Sequence, residues 1–379
     1  MIYLDSAATS FQKPEAVGRA METALREMSS PGRGGYPAAM RAAETLFSCR
    51  TELAELFHVP EPEQVVFTMN ATHGLNLAIK SLVPRGGKAV ISGYEHNAVT
   101  RPLAALGAEI RVAAAPLFQP ELTAEAFDKA VTPEVDAVIC SHVSNVFGAV
   151  QPVEAIAAIC RERGVPFIID ASQSAGMLPL DMAALGAAFI AMPGHKGLYG
   201  PQGTGVLLCC ERVETATLLE GGTGSVSIQQ EMPNFLPDRL EAGTHNVPGI
   251  AGLLEGVRFV RQTGEDVICL HERKLAMQAS EGLRGIPGLG VCARRDLFAQ
   301  TGVLSFVPQG VDTELMGNAL AENGFAVRTG MHCAPLAHRT AGTLDSGTVR
   351  LSFSAFNTPG EVERLLEILP EVFQRLSAG

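Results

Sequence analysis

One run of the chain, Met192-Pro193-Gly194-His195-Lys196-Gly197-Leu198-Tyr199-Gly200-Pro201, sets a single lysine among glycines and prolines just after an apolar segment. An ammonium meant for solvent needs no such setting. A lysine that condenses with a carbonyl ligand does, because its amine must be held, partly desolvated, against a flat partner. A glycine-rich surface loop with an incidental lysine fits the same letters, so the rest of a site is needed to decide. Asp170 is a second candidate. It follows the most apolar run in the chain, Val165-Pro166-Phe167-Ile168-Ile169. A carboxylate there is costly to desolvate unless a cation pairs with it, although a helix N-cap is the plainer use of an aspartate.

Other candidates follow other apolar runs. Asn70-Ala71-Thr72 places small and hydroxyl residues at a helix start, where backbone N–H groups and the positive helix end suit a phosphate; an ordinary N-cap fits equally. His96, after Tyr94-Glu95, can lie over a planar ring or move a proton near neutral pH, or be a surface histidine. Asn145 offers a donor and an acceptor, and Gln173 lies three residues beyond Asp170. Pyridoxal phosphate would use three of these features together: a lysine for its carbonyl, an aspartate for its protonated ring nitrogen and a helix start for its phosphate.

The elements that must position these residues alternate. Apolar β-type runs at 64–68, 88–92, 109–113, 135–141, 165–169, 187–191 and 204–210 are separated mostly by helical stretches at 71–83, 97–106, 123–130, 152–163 and 177–185. That order predicts an α/β fold with a mainly parallel, seven-stranded sheet covered on both faces, whose strands read as continuous apolar runs. Ligands bind such sheets beyond the carboxyl ends of the strands, where the candidates stand. Earlier, helices are expected from Pro14 to Met28 and over 38–57, joined by a glycine-rich segment, Ser29 to Gly35, with the composition of a mobile loop. Later come helices at 250–262 and 265–284, strands near 301–307, 325–328 and 347–353, and a closing helix at 359–376. The expected division is a large domain over 15–255 and a smaller α+β domain formed by 1–14 and 256–379.

The chain of 379 residues is 46% hydrophobic and 18% charged, which excludes disordered and fibrous classes. A formal charge of −11 argues against nucleic acid or an anionic membrane surface as partner. There is no apolar run of membrane-spanning length and no secretion-type start. The eight cysteines show neither framework spacing nor a C-x-x-C, so a reduced, cytoplasmic protein without a metal site is expected.

Taken together, Asn70-Ala71-Thr72, Glu95-His96-Asn97, Asp170-Ala171-Ser172-Gln173, Gly194-His195-Lys196 and Glu241-Ala242-Gly243-Thr244 resemble the class V aminotransferase group of fold-type I pyridoxal phosphate enzymes. Within it the chain is most similar to the cysteine desulfurase and selenocysteine lyase branch. The resemblance implies that Lys196 binds the cofactor and later moves protons, and that His96 lies over its ring. It implies further that Asp170 pairs with the ring nitrogen, and that Gln173 and Asn145 lie near the phenolic oxygen or the substrate. Ala71, Thr72 and His195 would contact the phosphate. Thr244 would reach a phosphate across the interface of a homodimer with shared sites.

The segment Arg328-Thr329-Gly330-Met331-His332-Cys333-Ala334-Pro335 resembles the one that carries a desulfurase's nucleophile, which makes Cys333 the residue to accept sulfur. Its arginine and histidine neighbours are expected to favour thiolate. Arg350 resembles the family's carboxylate-binding arginine, whose fork matches a carboxylate bidentately. The activity implied is conversion of L-cysteine to L-alanine, with sulfur left on Cys333 as a persulfide for an acceptor protein. Selenocysteine lyase, another amino-acid substrate, or a non-catalytic protein retaining the fold are the alternatives. One position departs from the family: Pro193 stands where a serine usually joins the phosphate cup, so either another group such as Thr72 or Thr223 compensates or phosphate binding is weaker. The stretch Ala334 to Gly347 resembles a less-studied sub-branch.

Overall fold

In the computed structural model, which describes residues 1–32, 34–294 and 299–378, a short strand β1 (Ile2–Tyr3) precedes helices α1 (Glu15–Glu27) and α2 (Pro37–Leu56). The alternating region runs β2 (Val65–Thr68), α3 (Ala71–Leu82), β3 (Lys88–Ser92), α4 (Asn97–Ala105), β4 (Glu109–Ala113), α5 (Pro120–Ala130), β5 (Ala137–Ser141), α6 (Val153–Arg163), β6 (Phe167–Asp170), α7 (Met182–Leu185), β7 (Phe189–Pro193) and β8 (Gly205–Cys209). Then follow α8 (Val247–Thr263), α9 (Glu265–Arg284), β9 (Leu289–Cys292), β10 (Val303–Pro308), α10 (Thr313–Glu322), β11 (Phe325–Ala326), β12 (Arg328–Gly330), α11 (Pro335–Ala341), β13 (Thr348–Ser352) and α12 (Pro359–Ser377). Arg33, within the glycine-rich segment expected to be mobile, lies outside the described residues.

Strands β2 to β8 form the seven-stranded sheet, in the order β2-β8-β7-β6-β5-β3-β4. Only β8 runs against the others, pairing antiparallel with β2 and β7, while the remaining pairs are parallel. The strands' strict alternation divides the core in two. Val90, Val138, Cys140, Phe167, Ile169, Ile190 and Leu208 face one apolar layer with α2, α5, α6 and α8. Ala89, Ile91, Ala137, Ile139, Ile168, Ala191 and Leu207 face the other, with α3 and α4. A separate apolar cluster gathers Leu4 with residues from Leu275 to Phe373 around the four-stranded antiparallel sheet β12-β13-β10-β9. The amino terminus joins that layer through β1, which pairs with β11.

The element expectations hold in outline and fail in three places. The helix expected at 177–185 is confined to Met182–Leu185. Pro179 lacks an N–H and disfavours helical backbone at Leu178, and the helix starts only at its cap, where Asp181 accepts from Ala184 N at 2.7 Å. The strand expected at 325–328 is two short strands in different sheets, β11 and β12. Helix α11 and strands β1 and β9 were not anticipated, being too short to show a period.

Candidate active site

The strands that end at the sheet's active edge deliver their residues to one cavity of about 250 Å³. Its lining includes Ala71, Thr72, His96, Asn145, Asp170, Gln173, Pro193, His195, Lys196, Cys333 and Arg350, so nearly every candidate named from the sequence converges there. Arg328, Ser141, Ser172 and Ala8 complete part of the wall. Thr244 does not: it lines two other cavities, of about 220 and 330 Å³, together with His245. Thr223 lies in the second of these, its hydroxyl 3.2 Å from that of Ser225, so within one chain it does not replace the serine missing at Pro193.

Lys196 reaches the cavity because backbone passes unusually close to backbone behind it. A Cβ on Gly197 would stand 2.3 Å from the Ala175 carbonyl oxygen, and one on Gly176, at φ +81°, 2.3 Å from the Gly197 oxygen. The glycines therefore seat the lysine loop directly on the turn that follows Asp170. Burial pushes the Lys196 ammonium down to about 8; Asp170 opposes that shift, while Arg350 and Arg328 add to it. That leaves far more free amine near neutrality than an ordinary lysine has, which favours a nucleophilic role.

Asp170 is 3% exposed at the end of β6, and its Oδ1 accepts from Ser172 N at 2.9 Å. No cation stands within ion-pair distance of it among the described residues, so the site holds a buried carboxylate with spare acceptor capacity facing a cavity. Elsewhere on the wall, Asn70 caps α3 by accepting from His73 N at 2.9 Å. The first-turn N–H groups of Ala71 and Thr72 are left without helical partners, the usual arrangement for an anion. A lysine with a lowered pKa, a carboxylate seeking a cation and an open helix start together fit a pyridoxal phosphate.

His96 caps α4 through its ring, with Nδ1 accepting from Ala98 N at 3.0 Å. That contact assigns the proton of the neutral ring to Nε2. Burial, assisted by Lys196 and two arginines and opposed by Asp170, pushes the imidazole down to about 4. His96 is thus a neutral N–H donor at physiological pH. His195 is likewise neutral, pushed down to about 4 by burial and by Lys196 and Lys13. Its carbonyl accepts from Ser10 N at 2.9 Å and its Nδ1 lies 3.2 Å from the Thr9 hydroxyl. Gln173 reaches back to the amino-terminal turn, donating from Nε2 to Ala7 O at 2.9 Å.

The other half of the site comes from β12, β13 and the four residues between β12 and α11. Cys333 is exposed. Its backbone is held in the left-handed region, φ 57°, as is that of His332, φ 47°. Asn97 N donates to the Cys333 carbonyl at 2.8 Å, and Asn145 Nδ2 donates to that of His332 at 2.7 Å, so both elements that flank the cavity grip this segment. The expectation that His332 lends positive charge to the thiol is corrected. His332 is 4% exposed, its Nε2 lies 3.0 Å from the Thr348 hydroxyl, and burial, with Arg350 nearby, pushes it down to about 2. Three cationic side chains share the cavity with Cys333, those of Lys196, Arg350 and Arg328, and of these Arg328 is exposed and has no ion-pair partner among the described residues.

Arg350 is 2% exposed. Its Nη1 donates to Asn145 O at 2.9 Å and its Nη2 meets Asp5 Oδ1 at 2.6 Å. Arg328 stands directly opposite Arg350 in the β12–β13 register. Neither the opposition of the two arginines nor the Asp5 contact has any local signal in the sequence, since the first depends on strand register and the second joins opposite ends of the chain.

Fold and site together place a half-buried lysine, a buried carboxylate and an exposed thiol on one cavity at the edge of an α/β sheet. The sequence profile "Aminotransferase class-V" matches residues 2–365, and the chain belongs to that family. Among curated relatives, a "Cysteine desulfurase" of Klebsiella pneumoniae is 34% identical over 98% of this chain and 93% of its own length. A "Probable cysteine desulfurase" of Mycolicibacterium paratuberculosis is also 34% identical over 98% of this chain, which spans 55% of that longer relative. Among solved structures, a cysteine desulfurase from Thermococcus onnurineus superposes with a TM-score of 0.89 at 30% identity, covering 99% of this chain and 95% of that one. One from Escherichia coli gives 0.85 at 27%, with the same coverage. The fold is the fold-type I arrangement of those enzymes.

Proposed function

We propose that the protein is a pyridoxal-phosphate-dependent cysteine desulfurase, converting L-cysteine to L-alanine and leaving the sulfur on Cys333. The observation that carries this reading is that Lys196 and an exposed Cys333 line one cavity although they lie in loops that follow strands of different sheets, β7 and β12. Lys196, Asp170, Gln173, His96, Ala71, Thr72 and His195 would hold the cofactor, and Asn145 and Arg350 would hold the substrate. When bound, the cofactor supplies an electrophilic carbonyl and a sink for electrons from the substrate's α-carbon.

The chain's own part is orientation and proton handling. Lys196 Nζ holds and returns the α-proton, its lowered pKa suiting both directions. His96 presents Nε2–H as a neutral donor across the cavity. The Cys333 thiolate attacks the substrate sulfur; an S–S bond forms, the C–S bond breaks, and its electron pair stays with the substrate carbon, which takes a proton to become alanine. The sulfur keeps its hydrogen as the terminal SH of the persulfide. Support for a homodimer comes from Thr244, which lies outside the site of its own chain in a partly apolar hollow lined also by Leu219, Leu240 and Ile250. In a dimer, Thr244 of one copy would reach the phosphate held by Ala71, Thr72 and His195 of the other. The proposed working state is a cytoplasmic dimer that passes sulfur to an acceptor protein.

The test is alanine release from L-cysteine. The unaltered protein is expected to release alanine and to show a visible absorbance band that disappears in Lys196→Ala. Cys333→Ala is expected to keep the band and lose the release. Undiminished alanine from Cys333→Ala would remove the persulfide step; rates on selenocysteine compared with cysteine would then decide for a lyase.

A further inference from the structure

Arg350 is not a vacant receptor for a carboxylate. Its guanidinium is buried, and a buried cation without a partner is strongly destabilising. Asp5 supplies that partner at 2.6 Å, from the turn that follows β1. Asp5 is itself fixed. Its carbonyl accepts from Ala8 N at 3.0 Å and from the Tyr3 hydroxyl at 3.1 Å, and its backbone bridges to Ser352 on β13, two residues from Arg350. The Asp5 side chain is 18% exposed, against 2% for Arg350. One oxygen of the carboxylate meets Nη2, while Arg350 Nε is buried without a hydrogen-bond partner. The guanidinium is therefore held in one plane by Asp5 and Asn145, with unused donor capacity left on it.

Any α-carboxylate that Arg350 grips must share one positive charge with Asp5. We infer that Asp5 is a positioning residue that fixes Arg350 for the substrate carboxylate and, by its own negative charge, keeps that grip weak enough for release. The inference rests on the reading of Arg350 as the carboxylate-binding residue. Its logic is that substrate and product carry the same carboxylate: a grip that tightens on both lowers KM without speeding chemistry and holds the product. A purely structural aspartate would show only losses on substitution. A charge that opposes binding shows a gain when it is neutralised.

Asp5→Asn keeps an acceptor for Nη2 and removes the charge. The experiment titrates the cofactor-loaded protein, by calorimetry, with 3-mercaptopropionate and with its amide, which differ only in the carboxylate charge. Asp5→Asn is expected to tighten 3-mercaptopropionate by about fivefold, the scale of a partly exposed charge contact, and to leave the amide unchanged. KM for L-cysteine is expected to fall by a similar factor with kcat equal or lower, and Asp5→Glu to restore unaltered behaviour. If Asp5→Asn does not accumulate folded, Asp5→Ser removes the same charge and is read against the same pair. Acid binding that is unchanged or weaker in a folded, charge-neutral variant overturns the inference. Equal binding of acid and amide by the unaltered protein overturns the Arg350 reading and the inference with it. Absence of L-cysteine turnover alongside an acid-to-amide ratio that responds to Asp5 overturns only the choice of substrate.

Discussion

Lys196 sits between charges of opposite sign, and its behaviour with pH follows from their balance. The neutral amine is the form that attacks a carbonyl, and burial brings the ammonium to about 8. Capture of pyridoxal phosphate by the cofactor-free protein is therefore expected to accelerate as pH rises to about 8 and to level off above it, followed by the growth of the visible band. Asp170 favours the ammonium, so Asp170→Asn is expected to move the midpoint of that profile to lower pH. A midpoint unmoved by Asp170→Asn would mean that the two groups do not interact. The histidines mark the limit of reading charge from sequence. His332 stands next to Cys333 in the chain, yet its ring turns into the interior toward Thr348 and stays neutral.

At the scale of elements, the anion-binding capacity of the site depends on where α3 begins. Gly205 opens β8 beside that point, and a Cβ there would stand 2.7 Å from both Cα and the carbonyl carbon of Asn70. Gly205→Ala is expected to push the α3 start away and weaken pyridoxal phosphate binding about tenfold or more, with little loss of helix content. Equilibrium dialysis and circular dichroism check the two halves. Much of this arrangement was legible beforehand. Parallel strands announce themselves as continuous apolar runs, and their carboxyl ends must share an edge, so Asp170, His96, Asn145 and Lys196 could be brought together from order alone. Short or distant pairings could not. β1 and β9 have too few residues to show a period, Pro179 overrode an otherwise helical stretch, and the facing of Arg328 and Arg350 depends on a register between strands.

On the scale of the whole molecule, a buried charge network ties the segment carrying Thr244 to the large sheet. Arg50 donates to both oxygens of Glu241, at 2.8 and 2.5 Å, and stacks over the Phe67 ring at 4.3 Å. Phe67 N and His245 Nε2 meet the same carboxylate at 2.5 and 2.6 Å. Burial alone would raise the Glu241 carboxyl, but Arg50 and His245 hold it below the ordinary range. A depressed carboxyl stabilises the fold above its unfolded pKa and loses that contribution as pH falls through the folded value. Arg50→Ala strands the Glu241 charge and is expected to cost about 3–5 kcal/mol, measured by urea unfolding at neutral pH. The penalty should shrink in acid, where Glu241 takes up a proton; an equal loss at both pH values would assign the effect to lost packing over Phe67.

The segment around Cys333 has a consequence for stoichiometry. Only four residues separate β12 from α11, and two side-on hydrogen bonds fasten them to α4 and to Asn145. A thiol on so short a tether cannot carry its cargo away from the cavity mouth. On the desulfurase reading, each chain stalls after loading one sulfur atom, and its first turnover is a count of working sites. Everything after that first atom runs at the pace at which something else arrives to collect it.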